Sequence, residues 1–160
     1  MRTLYILIFL TLGMHAFGQS KSITHFRSTF PESSNMFFYS SMLNMLNSED
    51  NPELAGLLKD IEEIRVLTWD KSKPMPGKDK VTALKAALRA EEYNTLMVMN
   101  DKGSTIDLYR REKKGKMTGF VAIVLNAESL VVIDLKGGID VARFMQLKQK
   151  LDGQSGNSPN

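Results

Sequence analysis

The side chains able to do covalent or metal chemistry are few in this chain of 160 residues. It has two histidines and no cysteine. Without cysteine there is no thiolate nucleophile, no disulfide, no paired-cysteine zinc site and no lipid-carrying N-terminal cysteine, and no HExxH helix occurs. Of the histidines, only His25 lies beyond the N-terminal eighteen residues. A Ser-His-Asp triad would have to use it, and no GxSxG turn is present to hold a serine. The acids occur as adjacent pairs, Glu49-Asp50, Glu62-Glu63 and Glu91-Glu92. Sequence neighbours do not face each other on a helix. Two catalytic carboxylates must come from separate elements that face one cleft. Solvated helix ends are therefore expected, with a carboxylate-dependent hydrolase of envelope material as the alternative function.

Methionine offers a second chemistry. Met42 and Met45 are spaced MxxM, and Met97 and Met99 are spaced MxM. Thioethers suit Cu(I). These four sit among Leu, Val and Phe without His or Cys co-ligands, so core packing is expected and weak soft-metal binding is the minor reading. No catalytic residue, metal or cofactor is assigned. Lysines cluster at Lys71, Lys73, Lys78 and Lys80, and a second basic group surrounds a hairpin: Arg110, Arg111, Lys113, Lys114 and Lys116, beside Tyr109. The second group is the candidate contact for an anion or partner, with an envelope protein or an anionic lipid or glycan as the occupant. Lysines at hairpins also discourage edge pairing. Gly137-Gly138 lacks the GxGxxG or GK[ST] context of a phosphate loop and reads as a turn.

The elements that must position these residues begin after Gly18. Residues 1–18 carry Arg2, an apolar run from Leu4 to Leu12, and small Ala16 and Gly18. That pattern predicts a secretory signal cut before Gln19, with an apolar run too short for a membrane span. Removing 18 of 160 residues leaves 142, and the loss of Arg2 leaves 20 basic against 18 acidic groups. A near-neutral exported chain is not expected to bind nucleic acid. A periplasmic or secreted location is expected instead.

Residues 19–151 read as one domain, with 152–160 a polar, disordered tail. Ile23, Phe26 and Phe30 share a helical face that ends at Pro31. Met36–Asn47 reads as a strand plus a helix, or as one helix, with the first favoured. Asp50-Asn51-Pro52 starts a helix, and IRVLTW from Ile64 to Trp69 is a strand. A helix is predicted from about Asp79 to Glu92, with Val81, Leu84 and Leu88 on one face. Between Thr95 and Gly138 lie four runs separated by polar turns, an antiparallel meander. Within it Thr105, Asp107, Tyr109 and Arg111 are expected on a wet face, while 118–125 and 130–135 form the central strands. An amphipathic helix over 139–151 closes the chain. The architecture is α+β: a two-layer, mainly antiparallel sheet, made of the C-terminal four-stranded meander plus one or two N-terminal strands, with helices packed on one face.

Four stretches, FFYSSMLNML, IEEIRVLTWD, AEEYNTLMVMNDKGSTIDLYRRE and VVIDLKGGIDVARFMQL, resemble the exported, often lipoprotein-like Bacteroidetes family known as DUF4252, a domain of unknown function. The resemblance spans about Ile23 to Leu151 and brings no catalytic residues. It implies an envelope-associated interaction or regulatory module, linked to envelope-stress or extracytoplasmic sigma-factor signalling. The missing cysteine implies a soluble periplasmic form in place of a lipoprotein.

Overall fold

A computed structural model describes residues 19–45, 47 and 51–139. The expected signal over 1–18, the closing helix beyond Ile139 and the tail over 152–160 lie outside the described residues. The elements are α1 (Lys21–Thr29), β1 (Ser34–Tyr39), α2 (Ser40–Met45), α3 (Pro52–Leu58), β2 (Ile61–Asp70), α4 (Lys78–Ala90), β3 (Tyr93–Asp101), β4 (Ser104–Lys113), β5 (Lys116–Leu125) and β6 (Ser129–Gly137). The strands form one six-stranded sheet, in the order β1-β2-β6-β5-β4-β3. Every pairing is antiparallel. The fold is α+β as expected. The two most apolar runs, β5 and β6, hold the centre, and the ribbon β1-β2 extends the meander on the β6 side.

Turn chemistry sets the register. Lys102 and Gly103 take φ values of 44° and 85°, and Lys114 and Gly115 take 52° and 73°. Two successive residues at positive φ match the right-handed twist of the flanking strands, so each pair closes a two-residue hairpin. Between β5 and β6 the Asn126 side chain accepts from the backbone N–H groups of Glu128 (2.8 Å) and Ser129 (2.7 Å). Asn51 starts α3 as expected, its side chain accepting from Leu54 N at 3.2 Å. The segment after Met36 resolves as strand, then helix.

Helices α1 and α4 cover one face of the sheet. Ile23 and Phe26 of α1, and Val81, Leu84 and Leu88 of α4, pack on Leu67, Trp69, Tyr109, Val121, Ile123, Leu130 and Val132. Each of these large side chains contributes about 1.5–3 kcal/mol through its burial. Trp69 meets Phe26 edge-on at 5.4 Å and donates its Nε1–H to the Phe30 carbonyl at 3.0 Å. A smaller cluster lies on the reverse face, where Leu43 and Leu58 meet Ile61, Ile64, Phe120, Leu135 and Ile139.

Two expectations change. The face of β4 bearing Asp107 and Tyr109 is not wet: Tyr109 is fully buried. That alternation looked polar because its apolar partners, Ile106 and Leu108, occupy the reverse face, while α4 seals Asp107 and pairs it with Lys85. The methionines are not core either. Met42, Met45, Met97 and Met99 are 47%, 77%, 40% and 42% exposed. The first two sit on a short outlying helix, and the other two on the edge strand β3.

Candidate functional site

One end of the sheet gathers a mixed set of charged side chains. The β4–β5 hairpin, the exit of β6 and the entry to β2 meet there around a cleft of about 820 Å³. Its basic lining is Arg111, Lys113, Lys116 and Lys136; its acidic lining is Asp60, Glu62, Glu91, Glu92 and Glu112. The mixture follows from the elements: hairpin tips and helix ends are charged for solubility, and here they converge.

Of the sequence-derived contact residues, Arg111, Lys113 and Lys116 line this cleft. Arg110 does not. It alternates to the opposite face of β4 from Arg111 and pairs with Glu112 at 3.0 Å. Lys114 is exposed at the turn, and Tyr109 belongs to the core. The lysines of the other cluster lie apart, Lys71 pairing with Glu128 and Lys80 with Asp79. His25 is exposed on α1, beside a shallower groove of about 500 Å³ between α1 and α4.

Three of the cleft's acids are already committed. Glu62 pairs with Lys136 at 2.6 Å, and Glu112 pairs with Arg110. Glu91 accepts from the backbone N–H groups of Ser22 (2.6 Å) and Lys21 (3.1 Å) and from the Ser22 hydroxyl. It thereby satisfies orphan donors of the first turn of α1, where a negative charge also complements the helix dipole.

Beneath the start of α1, beside the cleft, lies a buried polar group that sequence reasoning treated as scaffold. Arg65 and Asp134 are direct cross-strand partners on β2 and β6, and both are buried. The Arg65 guanidinium donates to Thr24 Oγ1 at 3.2 Å and lies 5.5 Å over the Phe37 ring. Burial lowers its pKa. Asp134 is fully buried, and neither of its carboxylate oxygens has a partner in hydrogen-bond geometry. Burial pushes its carboxyl up to about 6, against the opposing pull of Arg65 and of the nearby Ser20 backbone N–H. Glu63, on the same face of β2, accepts from the Gln19 side-chain amide. The signal for this group was in the sequence: a single charge of opposite sign inside each of two apolar strand runs, IRVLTW and VVIDL.

Tyr93 bounds the group on the β4–β5 side. Its ring lies under the Arg111 guanidinium at 4.9 Å. A Cβ on Gly119 would come within 2.8 Å of the Tyr93 hydroxyl, so the glycine is what lets the ring lie flat across β5. Burial pushes the Tyr93 phenol up to about 12.

Beyond the cleft, the edge strand β3 is apolar and, among the described residues, uncovered. From Asn94 to Asp101 every residue of β3 is exposed. Leu96, Met97, Val98 and Met99 are 40–54% exposed, and a bulge between Thr95 and Met97 turns successive apolar side chains to both faces.

Among the described residues no group of three His, Cys, Asp or Glu side chains is placed to hold a metal ion, and no helix is long and apolar enough to cross a membrane. A family model described as "Domain of unknown function (DUF4252)" matches residues 32–147. No curated protein and no solved structure matches the chain.

Proposed function

The chain belongs to the DUF4252 family, a domain of unknown function, and on that premise we propose that it is an exported, non-enzymatic interaction module that takes an extended polypeptide along the edge strand β3. The observation that carries this reading is the unprotected edge. Sheet edges are ordinarily blunted by inward charges, prolines, bulges or covering loops; among the described residues β3 has a bulge between Thr95 and Met97 but no proline or inward charge along Leu96 to Met99. Here four consecutive apolar residues, Leu96 to Met99, stand exposed beside an unpaired row of backbone donors and acceptors. That combination suits strand addition, in which main-chain hydrogen bonds supply affinity and alternate side chains supply selectivity. The mixed-charge cleft beside the start of β3 would receive charged side chains or a chain end of the same partner.

The non-enzymatic part of the reading is supported by the commitments of the acids. A glycosidase-like pair needs one carboxyl free to hold a proton and one free to act as base or nucleophile. Of the five acids that line the cleft, Glu62, Glu91 and Glu112 are each occupied by a donor; Asp107 is sealed against Lys85, and Asp134, the carboxyl with the raised pKa, is buried and does not line the cleft. The setting implied by the resemblance is envelope-stress or extracytoplasmic sigma-factor signalling in the periplasm.

The test is site-specific photo-crosslinking in a cell that exports the protein, with the photoreactive side chain at position 98. A discrete adduct with one envelope protein, abolished by Met97→Lys in the same chain, is expected. An adduct pattern indistinguishable from that of a probe at the exposed turn position 114 would sink the reading.

A further inference from the structure

Beneath α1 the buried Asp134 faces the guanidinium groups of Arg65 and Arg111, yet neither of its carboxylate oxygens has a partner in hydrogen-bond geometry. Ser20 is fully buried and caps α1, its hydroxyl accepting from Ile23 N at 3.2 Å. Its backbone N–H faces Asp134 and favours the carboxylate, although neither Asp134 oxygen reaches full hydrogen-bond geometry. One residue upstream, Gln19 is half-buried and its side-chain amide reaches Glu63. Chain geometry puts the Gln19 backbone nitrogen within about 4 Å of that of Ser20. The nitrogen of residue 19 thus lies one residue before the N–H that faces Asp134, in a residue whose side chain reaches Glu63.

The charges facing this point come from every element around it. Glu63 and Arg65 come from β2, Asp134 from β6, Arg111 from β4 and Glu91 from the end of α4, with the neutral Tyr93 phenol on β3. Lys136 is matched to Glu62. Arg27 of α1 also faces Arg65, across the Phe37 ring; among the described residues three carboxylates therefore meet three guanidinium groups, of which Arg65 and Arg111 act on Asp134.

We propose that hydrolysis of the Gly18–Gln19 peptide bond creates an α-ammonium group that docks onto Glu63 and Asp134, so that removal of the N-terminal segment completes the buried site. This rests on the exported reading above. The step is a simple hydrolysis, catalysed by an export-pathway peptidase. Water's oxygen adds to the Gly18 carbonyl carbon, which becomes a carboxylate. The Gln19 nitrogen leaves as an amine and takes up a proton at neutral pH. Before the cut, residue 19 presents a neutral amide to the acids; after it, a cation with three donors. A positive charge at a helix N-terminus is unfavourable by itself, so such an ammonium is tolerated only where acids surround it, as they do here.

The experiment has two arms. Intact mass of the protein recovered from an exporting cell reports the cut. A terminus at Gln19 bearing a free amine is expected. A cut at another residue, or a terminus lighter by one ammonia because Gln19 has cyclised, overturns the proposal. The second arm uses chains that begin at residue 19 and carry Gln19→Ala so that the terminus cannot cyclise. Four forms are compared at pH 7 by urea unfolding: free or acetylated amine, each with Asp134 or Asp134→Asn. The free amine is expected to raise the folding equilibrium constant at least tenfold with Asp134 present and by less than threefold with Asp134→Asn. Equal effects of acetylation in both backgrounds would overturn the docking, while a correct terminus in the first arm would leave the exported reading standing.

Discussion

Glu91, the residue that ends α4, caps the start of α1: its carboxylate accepts the Ser22 backbone N–H at 2.6 Å across 69 residues of sequence. The two helices that cover the sheet are thereby tied at one end by a bond that needs both in place. Replacing Glu91 by Ala leaves the Lys21 and Ser22 N–H groups to water. The expected loss is about 1 kcal/mol, the usual value of a helix cap. Urea unfolding followed by the fluorescence of Trp69, the chain's single tryptophan, measures it; an unchanged midpoint would show the cap to be idle.

Asp134 sets a pH dependence whose sign can be worked out. Its carboxyl titrates at about 6 in the folded chain, against about 3.9 in an unfolded one. Between those values the native state holds a proton that the unfolded state has released, so stability falls as pH rises. For a chain whose residue 19 is amide-linked or acetylated, the contribution of Asp134 to stability is expected to be fully present below about pH 4 and to fall by roughly 2–3 kcal/mol as pH rises through 6. Asp134→Asn should flatten that drop and raise stability at pH 7. Unfolding midpoints across pH 4–8 supply the check, and parallel profiles for the two chains would refute the assignment.

Gly137 is required by both its backbone and its surroundings. It sits at φ 110°, and a Cβ there would lie 2.2 Å from the Asp60 carbonyl oxygen, the atom that accepts from Gly138 N at 2.8 Å. Gly137→Ala should therefore cost about 3 kcal/mol or more, since both strain and a backbone clash must be relieved. Gly103 is the control. Its φ is 85°, but nothing lies within 4 Å of its would-be Cβ, so Gly103→Ala should cost only about 1–2 kcal/mol. Thermal unfolding of the pair separates clash from strain.

Period and turn residues made most of the fold legible. The meander, its central strands and the α1 and α4 faces follow from apolar spacing, because those positions are buried by regular elements. What could not be read was which neighbour covers which face. Tyr109 looked like a surface residue because it shares a strand face with Arg111 and Asp107; only the docking of α4 over β4 makes it core. Met97 and Met99 looked like core residues because nothing in the sequence places β3 at the edge. The cleft was legible in part. Arg111, Lys113 and Lys116 line it as a group, but the acids that balance them come from Asp60, Glu62 and the end of α4, far away in sequence. The Asp134 site was the hardest to see, since its partners come from α1, β2 and β4.

Lys85 and Asp107 give the sharpest test of how α4 is held. Asp107 is almost wholly buried on β4, and Lys85 reaches it from α4 with its own side chain 20% exposed. Pairs of this kind add little net stability compared with apolar replacements, but removing one partner strands the other charge. Lys85→Met keeps the aliphatic stem and deletes the ammonium, so the Asp107 carboxylate loses its counter-charge in a place water reaches poorly. A loss of about 2–4 kcal/mol is expected, toward the lower end because Lys85 is partly solvated. Adding Asp107→Asn removes the stranded charge and should restore more than half of that loss, giving a coupling energy well outside the range for independent sites. A double-mutant cycle in urea reads it directly, and strictly additive losses would mean that the Lys85–Asp107 pair does not help to hold α4.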